Sequence, residues 1–85
     1  MSDLQEQFEA ATQAATNLPT RPNNDTMLLL YALYKQAQTG DAGDKRPGAF
    51  DIVGRAKYDA WVALRGMPRD QAMQRYVELV EQLQG

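Results

Sequence analysis

Three phenols and two ammonium groups are the side chains best placed by type and spacing to hold a ligand: Tyr31, Tyr34 and Lys35 together, Lys57 farther on, and Tyr76 near the end. The run from Met27 to Tyr34 is apolar or aromatic throughout, and Lys35 follows it directly. Wound at about 100° per residue, this run makes two apolar faces rather than one. Leu29, Leu30, Leu33 and Ala37 form an ordinary aliphatic stripe, while Leu28, Tyr31 and Lys35 fall on roughly the opposite side, flanked by Met27 and Tyr34. A helix of a small domain normally has one buried face and one wet face. A second face mixing aliphatic groups, phenols and a cation suits an amphiphilic anion. Lys57 repeats the pattern, lying with Ala60, Trp61 and Leu64 at i, i+3, i+4 and i+7, so that a cation lies on or beside an apolar stripe. Each residue alone has a plainer reading. A lysine stem can snorkel over a core, and Tyr76 can be a core tyrosine with a satisfied hydroxyl.

Catalysis is not indicated. The chain has no histidine and no cysteine, which removes the commonest general base, thiolate nucleophiles, disulfides and cysteine or histidine metal sites. An enzyme would need Lys35 or Lys57 as a base beside Asp41 or Asp59, and nothing in the spacing sets such a pair around a reacting centre. Binding without chemistry, with no cofactor, is the expectation.

The elements that must position these groups read as four helices with no strand signal, one all-α domain over residues 1–85. Leu4, Phe8, Ala11, Ala15 and Leu18 make the stripe of the first helix, with a capping box from Ser2 and Gln5 or from Asp3 and Glu6. Pro19 and Pro22 stop it. Asn23, Asn24 or Asp25 caps a second helix that runs to about Thr39 and ends at Gly40. A third is bounded by Asp51 and Gly66. A fourth starts with Pro68 in its first turn and points Ala72, Met73, Tyr76, Val77, Val80 and Leu83 inward. Between the second and third helices, residues 40–53 have no helical period; such long connections are functional or folded on themselves. Phe50 and Ile52 are expected to anchor it to the bundle.

Charge limits the partners. The net charge is −2, yet Lys45, Arg46, Arg55, Lys57, Arg65, Arg69 and Arg75 crowd residues 45–75 against three carboxylates. An acidic chain with a local positive region suits a compact anion better than nucleic acid or a membrane surface, although solvated helix faces also produce such imbalances. The longest apolar run is far short of a membrane span, so no stable insertion is expected, and the start MSDLQEQFEA lacks the features of a secretory signal. A cytoplasmic setting is the simplest reading.

Three blocks in this order and spacing resemble the acyl-CoA-binding protein family: YALYKQAQTGD at 31–41, RPGAFDIVGRAKYDAW at 46–61, and Gly66 followed by AMQRYVELV at 72–80. The resemblance runs from about Leu4 to Leu83. It implies an up-down-down-up four-helix bundle with a long crossing connection between helices two and three. It also implies binding of medium- and long-chain acyl-CoA esters for carriage and pool formation, as a monomer serving acyl-CoA-using enzymes. Carried over position by position, Tyr31, Tyr34 and Lys35 match the family's Tyr-x-x-Tyr-Lys motif, Lys57 its Ala-Lys-x-Asp-Ala-Trp block, and Tyr76 the tyrosine of its last helix. The resemblance implies that these hold the adenine and the ribose 3′-phosphate, with Arg21, Met27 and Leu28 as secondary contacts. Thr16 and Val53 stand where relatives often carry lysine, and Tyr58 where many have tryptophan. A small helical interaction module, taking a partner helix on the second apolar face, is the competing class.

Overall fold

The structure, a computed structural model, describes residues 3–85 and contains four α-helices: α1 (Leu4–Ala14), α2 (Asn24–Thr39), α3 (Ile52–Val62) and α4 (Arg69–Gln84). Their ends follow from local chemistry. The Asp3 carboxylate accepts from the Glu6 amide at 2.8 Å, so the second of the two expected caps is present; Ser2 lies outside the described residues. Asn23 accepts from the Thr26 amide and Asp51 from the Gly54 amide in the same way. Gly40 closes α2 with φ +91°, a region that disfavours residues bearing a Cβ. Two boundaries differ from expectation. α3 stops at Val62, and i→i+3 bonds from Leu64 to Trp61 and from Arg65 to Val62 tighten the chain before Gly66. Pro68 is the N-cap of α4 rather than a first-turn residue.

Side-chain pairings give the direction of each helix. Residues 15–18 share a hollow with Met27 to Tyr31, while Phe8 stacks on Tyr34, so α2 runs back along α1. Tyr31 meets Lys57 and Lys35 meets Trp61, so α3 runs parallel to α2. Arg69 donates to the Ala37 and Gln38 carbonyls while Leu29 and Leu33 border a hollow with Leu79 and Gln82, so α4 is antiparallel to α2. The result is the expected up-down-down-up bundle. α2 is central, packing on α3 and α4, and α1 packs on α4.

The core is the aliphatic stripe read from the sequence, with Phe8, Leu30, Leu33, Ala37, Ala72, Met73, Tyr76 and Val80 buried together. One polar residue sits among them. Gln36 is fully buried, donating to the Asp41 carboxylate at 2.8 Å and the Met67 carbonyl at 2.9 Å, and accepting from the Trp61 indole at 3.1 Å. All its partners lie outside α2, so one amide joins the end of α2 to the connection, to α3 and to the start of α4.

The 40–51 connection contradicts one expectation: Phe50 and Ile52 do not anchor it. Phe50 is 101% exposed and Ile52 77%. Polar contacts hold the segment instead. Arg65 donates to the Ala42 and Gly43 carbonyls, Tyr58 donates to the Gly43 carbonyl, and Arg55 donates to that of Pro47. Arg46 grips Asp59 with two bonds, at 3.0 and 2.7 Å. A segment rich in glycine and proline leaves carbonyls unpaired by secondary structure; arginines and a tyrosine on α3 and just beyond it satisfy them, and the apolar residue that the segment buries is Ala42 rather than Phe50 or Ile52.

Candidate functional site

The second face of α2 is turned towards α3, with Tyr31 beside Lys57 and Lys35 beside Trp61. What remains open are two adjoining hollows. The first, about 430 Å³, lies between the end of α1, α2 and α4 and is bordered by Thr16, Arg21, Leu30, Tyr31, Tyr34 and Tyr76. The second, about 550 Å³, lies between α2 and the first half of α3, with Met27, Leu28 and Tyr31 on one wall and Val53, Ala56 and Lys57 on the other. Arg21, Met27 and Tyr31 border both, so the two share a rim.

The first hollow is phenolic because of how the core is built. Phe8 stacks on Tyr34 with ring centroids 5.9 Å apart and meets Tyr76 edge-on at 5.2 Å. This wedge holds the two tyrosines 6.3 Å apart. The Tyr34 hydroxyl accepts from the Gln38 amide at 3.1 Å, which leaves its proton free to donate outward. Tyr76 is 5% exposed, and burial, with Tyr34 beside it, raises its pKa above that of an ordinary phenol. It therefore stays a neutral donor at physiological pH. Thr16, exposed in the single 3₁₀ turn after α1, borders this hollow.

The second hollow is apolar except at its rim, where two cations stand. The Lys57 ammonium lies 5.3 Å from the centroid of the Tyr31 ring. Arg21 is exposed, its guanidinium donating to the Pro22 carbonyl at 3.2 Å and the Asn24 side chain at 3.4 Å. Lys35 is placed differently from the other expected ligand residues. Half-buried, its ammonium lies 5.0 Å over the Trp61 ring, and it borders neither hollow. Of the lining residues, Ala56 was not singled out from the sequence, and Ile52 only as an anchor for the connection. Their signal was present: Ile52, Val53, Ala56 and Lys57 fall at i, i+1, i+4 and i+5, one face of a helix. Among the described residues, no group of three or more histidine, cysteine or carboxylate side chains could hold a metal, and no helix is long and apolar enough to cross a membrane.

Comparison with known proteins gives a consistent result. The model of the family described as acyl-CoA-binding protein matches residues 5–80. The chain is similar to the acyl-CoA-binding protein of Gossypium hirsutum, 44% identical over 80 residues that make up 94% of this chain and 90% of the relative. It is also similar to that of Saccharomyces cerevisiae, 45% identical over 76 residues, 89% of this chain and 87% of the relative. The crystal structure of Oryza sativa acyl-CoA-binding protein 2 superposes with a TM-score of 0.91 at 44% identity, covering 95% of this chain and 90% of that one. The three sequence blocks, the bundle that they build and these matches agree: the chain belongs to the acyl-CoA-binding protein family.

Proposed function

We propose that this protein binds medium- and long-chain acyl-CoA esters and carries them as a cytoplasmic monomer to acyl-CoA-using enzymes, without catalysing a reaction. The observation that carries this reading is the shared rim. A hollow lined by phenols adjoins an apolar one, with Arg21 and Tyr31 on the rim that they share and Lys57 in the second hollow beside the Tyr31 ring. An acyl-CoA is itself divided in this way, a flat base and phosphates joined to a hydrocarbon chain.

In this reading Tyr31, Tyr34 and Tyr76 receive the adenine and donate hydroxyl bonds, and Lys57 and Arg21 face the phosphates. Stacking of the base on a phenol contributes about 1–3 kcal/mol by analogy with nucleic-acid sites. Each charge-assisted bond adds about 1.5–3 kcal/mol. Lys35 reaches the phosphates only by leaving the Trp61 face, which offsets part of its contribution. Met27, Leu28, Val53 and Ala56 take the acyl chain. At about 0.8 kcal/mol per methylene removed from water, a few buried groups outweigh any single polar contact.

Calorimetric titration with palmitoyl-CoA, free CoA and palmitate tests the reading. Palmitoyl-CoA is expected to bind orders of magnitude more tightly than either fragment, because neither fragment fills both hollows. Comparable affinity for the three would overturn it.

A further inference from the structure

Exposed apolar groups are not scattered over this molecule. Among the described residues, the large apolar side chains most open to solvent are Met27, Phe50, Ile52 and Val53, and three of these border the second hollow. Ile52 and Val53 are 77% and 66% exposed, Met27 39%. A single apolar residue on a surface needs no explanation, but a cluster around one cavity marks a surface that an apolar occupant covers.

The order of these residues along the helices decides what kind of cavity this is. Lys57 lies beside the Tyr31 ring, and Ile52 is the first residue of α3. Five residues separate them, so at about 1.5 Å each this wall is about 7.5 Å long. An extended hydrocarbon advances about 1.25 Å per carbon, from a bond of about 1.5 Å at a tetrahedral angle, and a chain entering beside Lys57 passes Ile52 after about six methylenes. Phe50 is the side chain that could form an end wall there. The turn closed by the Asp51 amide on the Gly48 carbonyl, 3.0 Å, instead leaves its ring wholly in solvent. The α2 wall ends at Asn24, whose side chain accepts from Arg21 at 3.4 Å and offers no apolar stop.

We infer that the second hollow is an open-ended groove in which Ile52 and Val53 read the length of the acyl chain and no end wall limits it, so that its ligands include very-long-chain and ω-branched acyl-CoA esters. The inference rests on the acyl-CoA reading above and adds the shape of chain that the site accepts. A closed pocket penalises a chain longer than itself, because the extra atoms meet packed side chains that must move. An open groove gives a different profile. Each carbon that covers the wall tightens Kd by up to about fourfold. Carbons past Ile52 return to solvent, where they neither help nor hinder, and a branch at the chain end lies in solvent in the same way. Ile52 and Val53 give little to the fold because most of their surface is wet, whereas a chain that reaches them covers that surface.

The test is calorimetric titration of the full chain, below the micelle concentration of each ligand, with butyryl-, palmitoyl- and arachidoyl-CoA and an iso-branched analogue of palmitoyl-CoA. Kd is expected to tighten steeply from butyryl to palmitoyl and then to level off, with the palmitoyl, arachidoyl and branched esters within about threefold of one another. Ile52→Ser combined with Val53→Ser is expected to weaken palmitoyl- and arachidoyl-CoA by about tenfold each. Butyryl-CoA, too short to reach either residue, should bind the variant as it binds the wild type. Both positions are exposed, so the melting temperature should stay within a few degrees of the wild-type value. Arachidoyl or branched esters binding about tenfold or more weakly than palmitoyl-CoA would show a closed end and overturn the inference. An equal loss for butyryl-CoA, or no loss for the long chains, would overturn it as well. Those results leave the carrier function standing where palmitoyl-CoA still binds far more tightly than free CoA; equal affinity for these two would overturn both.

Discussion

Replacing Lys57 by methionine separates the two roles its position allows. The methionine keeps most of the apolar stem over Tyr31 and removes the charge. In the fold, the loss is one exposed cation–π contact at 5.3 Å. At about 0.5 kcal/mol, and about 4–8 °C per kcal/mol for a domain of this size, the melting temperature should fall by roughly 2–4 °C. In the complex, the loss is a charge-assisted bond to phosphate worth about 1.5–3 kcal/mol, which is roughly a 10–150-fold weaker Kd. Titration with palmitoyl-CoA at two ionic strengths reads this directly, and the variant should show a flatter salt dependence. With a ligand lacking the ribose 3′-phosphate, wild type and variant should converge. Lys35→Met gives the contrast. That ammonium lies half-buried on Trp61 and borders neither hollow, so its removal should cost more stability and less affinity than the change at Lys57. An undiminished penalty with the dephosphorylated ligand, or unfolding caused by Lys57→Met, would refute this assignment of the charge.

Leu33 is 1% exposed at the centre of α2; Leu33→Ala should cost about 2–5 kcal/mol in chemical denaturation, with ligand affinity per folded molecule little changed. Gln36→Leu keeps the volume but strips the Met67 carbonyl of the amide donor and the Trp61 indole of one acceptor, so denaturation should show a loss of about 1–3 kcal/mol despite the more apolar side chain. The Asp41 carboxyl is held below the usual carboxylate range, first by the Gly66 amide, then by the Gln36 amide. A group depressed in the folded state stabilises above its unfolded pKa of about 3.9 and loses that contribution as pH falls through the folded value. Asp41→Asn should therefore lower stability at neutrality and flatten the acid limb, so that the two stability curves converge as pH falls below about 4.

Helix ends and core were legible in the sequence because their causes are local. Asn23, Asp51 and Gly40 act on backbone within four residues of themselves, and the stripe from Phe8 to Ala15 needs only the helical period. Gln36 was not legible. Its burial depends on Met67, 31 positions away, and Trp61, 25 positions away, and a glutamine following a lysine reads as solvated. Phe50 misled for a related reason: an aromatic residue in a long connection suggests an anchor, but the arginines that made an anchor unnecessary lie later in the chain. In the site, Tyr31 and Lys57 come together across α2 and α3, and Tyr34 and Tyr76 across Phe8. Periodicity put Lys35 on the same face as Tyr31, but it could not show that Trp61 would meet its ammonium.

Among the four helices, α3 alone has no buried residue, and it is 11 residues long. A helix of that length is marginal in isolation, so what keeps it folded is its seam with α2 and the hydrogen bonds around Trp61 and Arg65. Those bonds grip its second half, whereas the wall it gives to the apolar hollow is the first half. A hydrocarbon chain lying against Val53 and Ala56 would supply the missing core of that segment. Ligand binding and the folding of α3 are then one linked equilibrium. At a free ligand concentration about a thousand times Kd, linkage adds about 4 kcal/mol to the native state, and the turns from Ile52 to Ala56 are where that stabilisation is felt first.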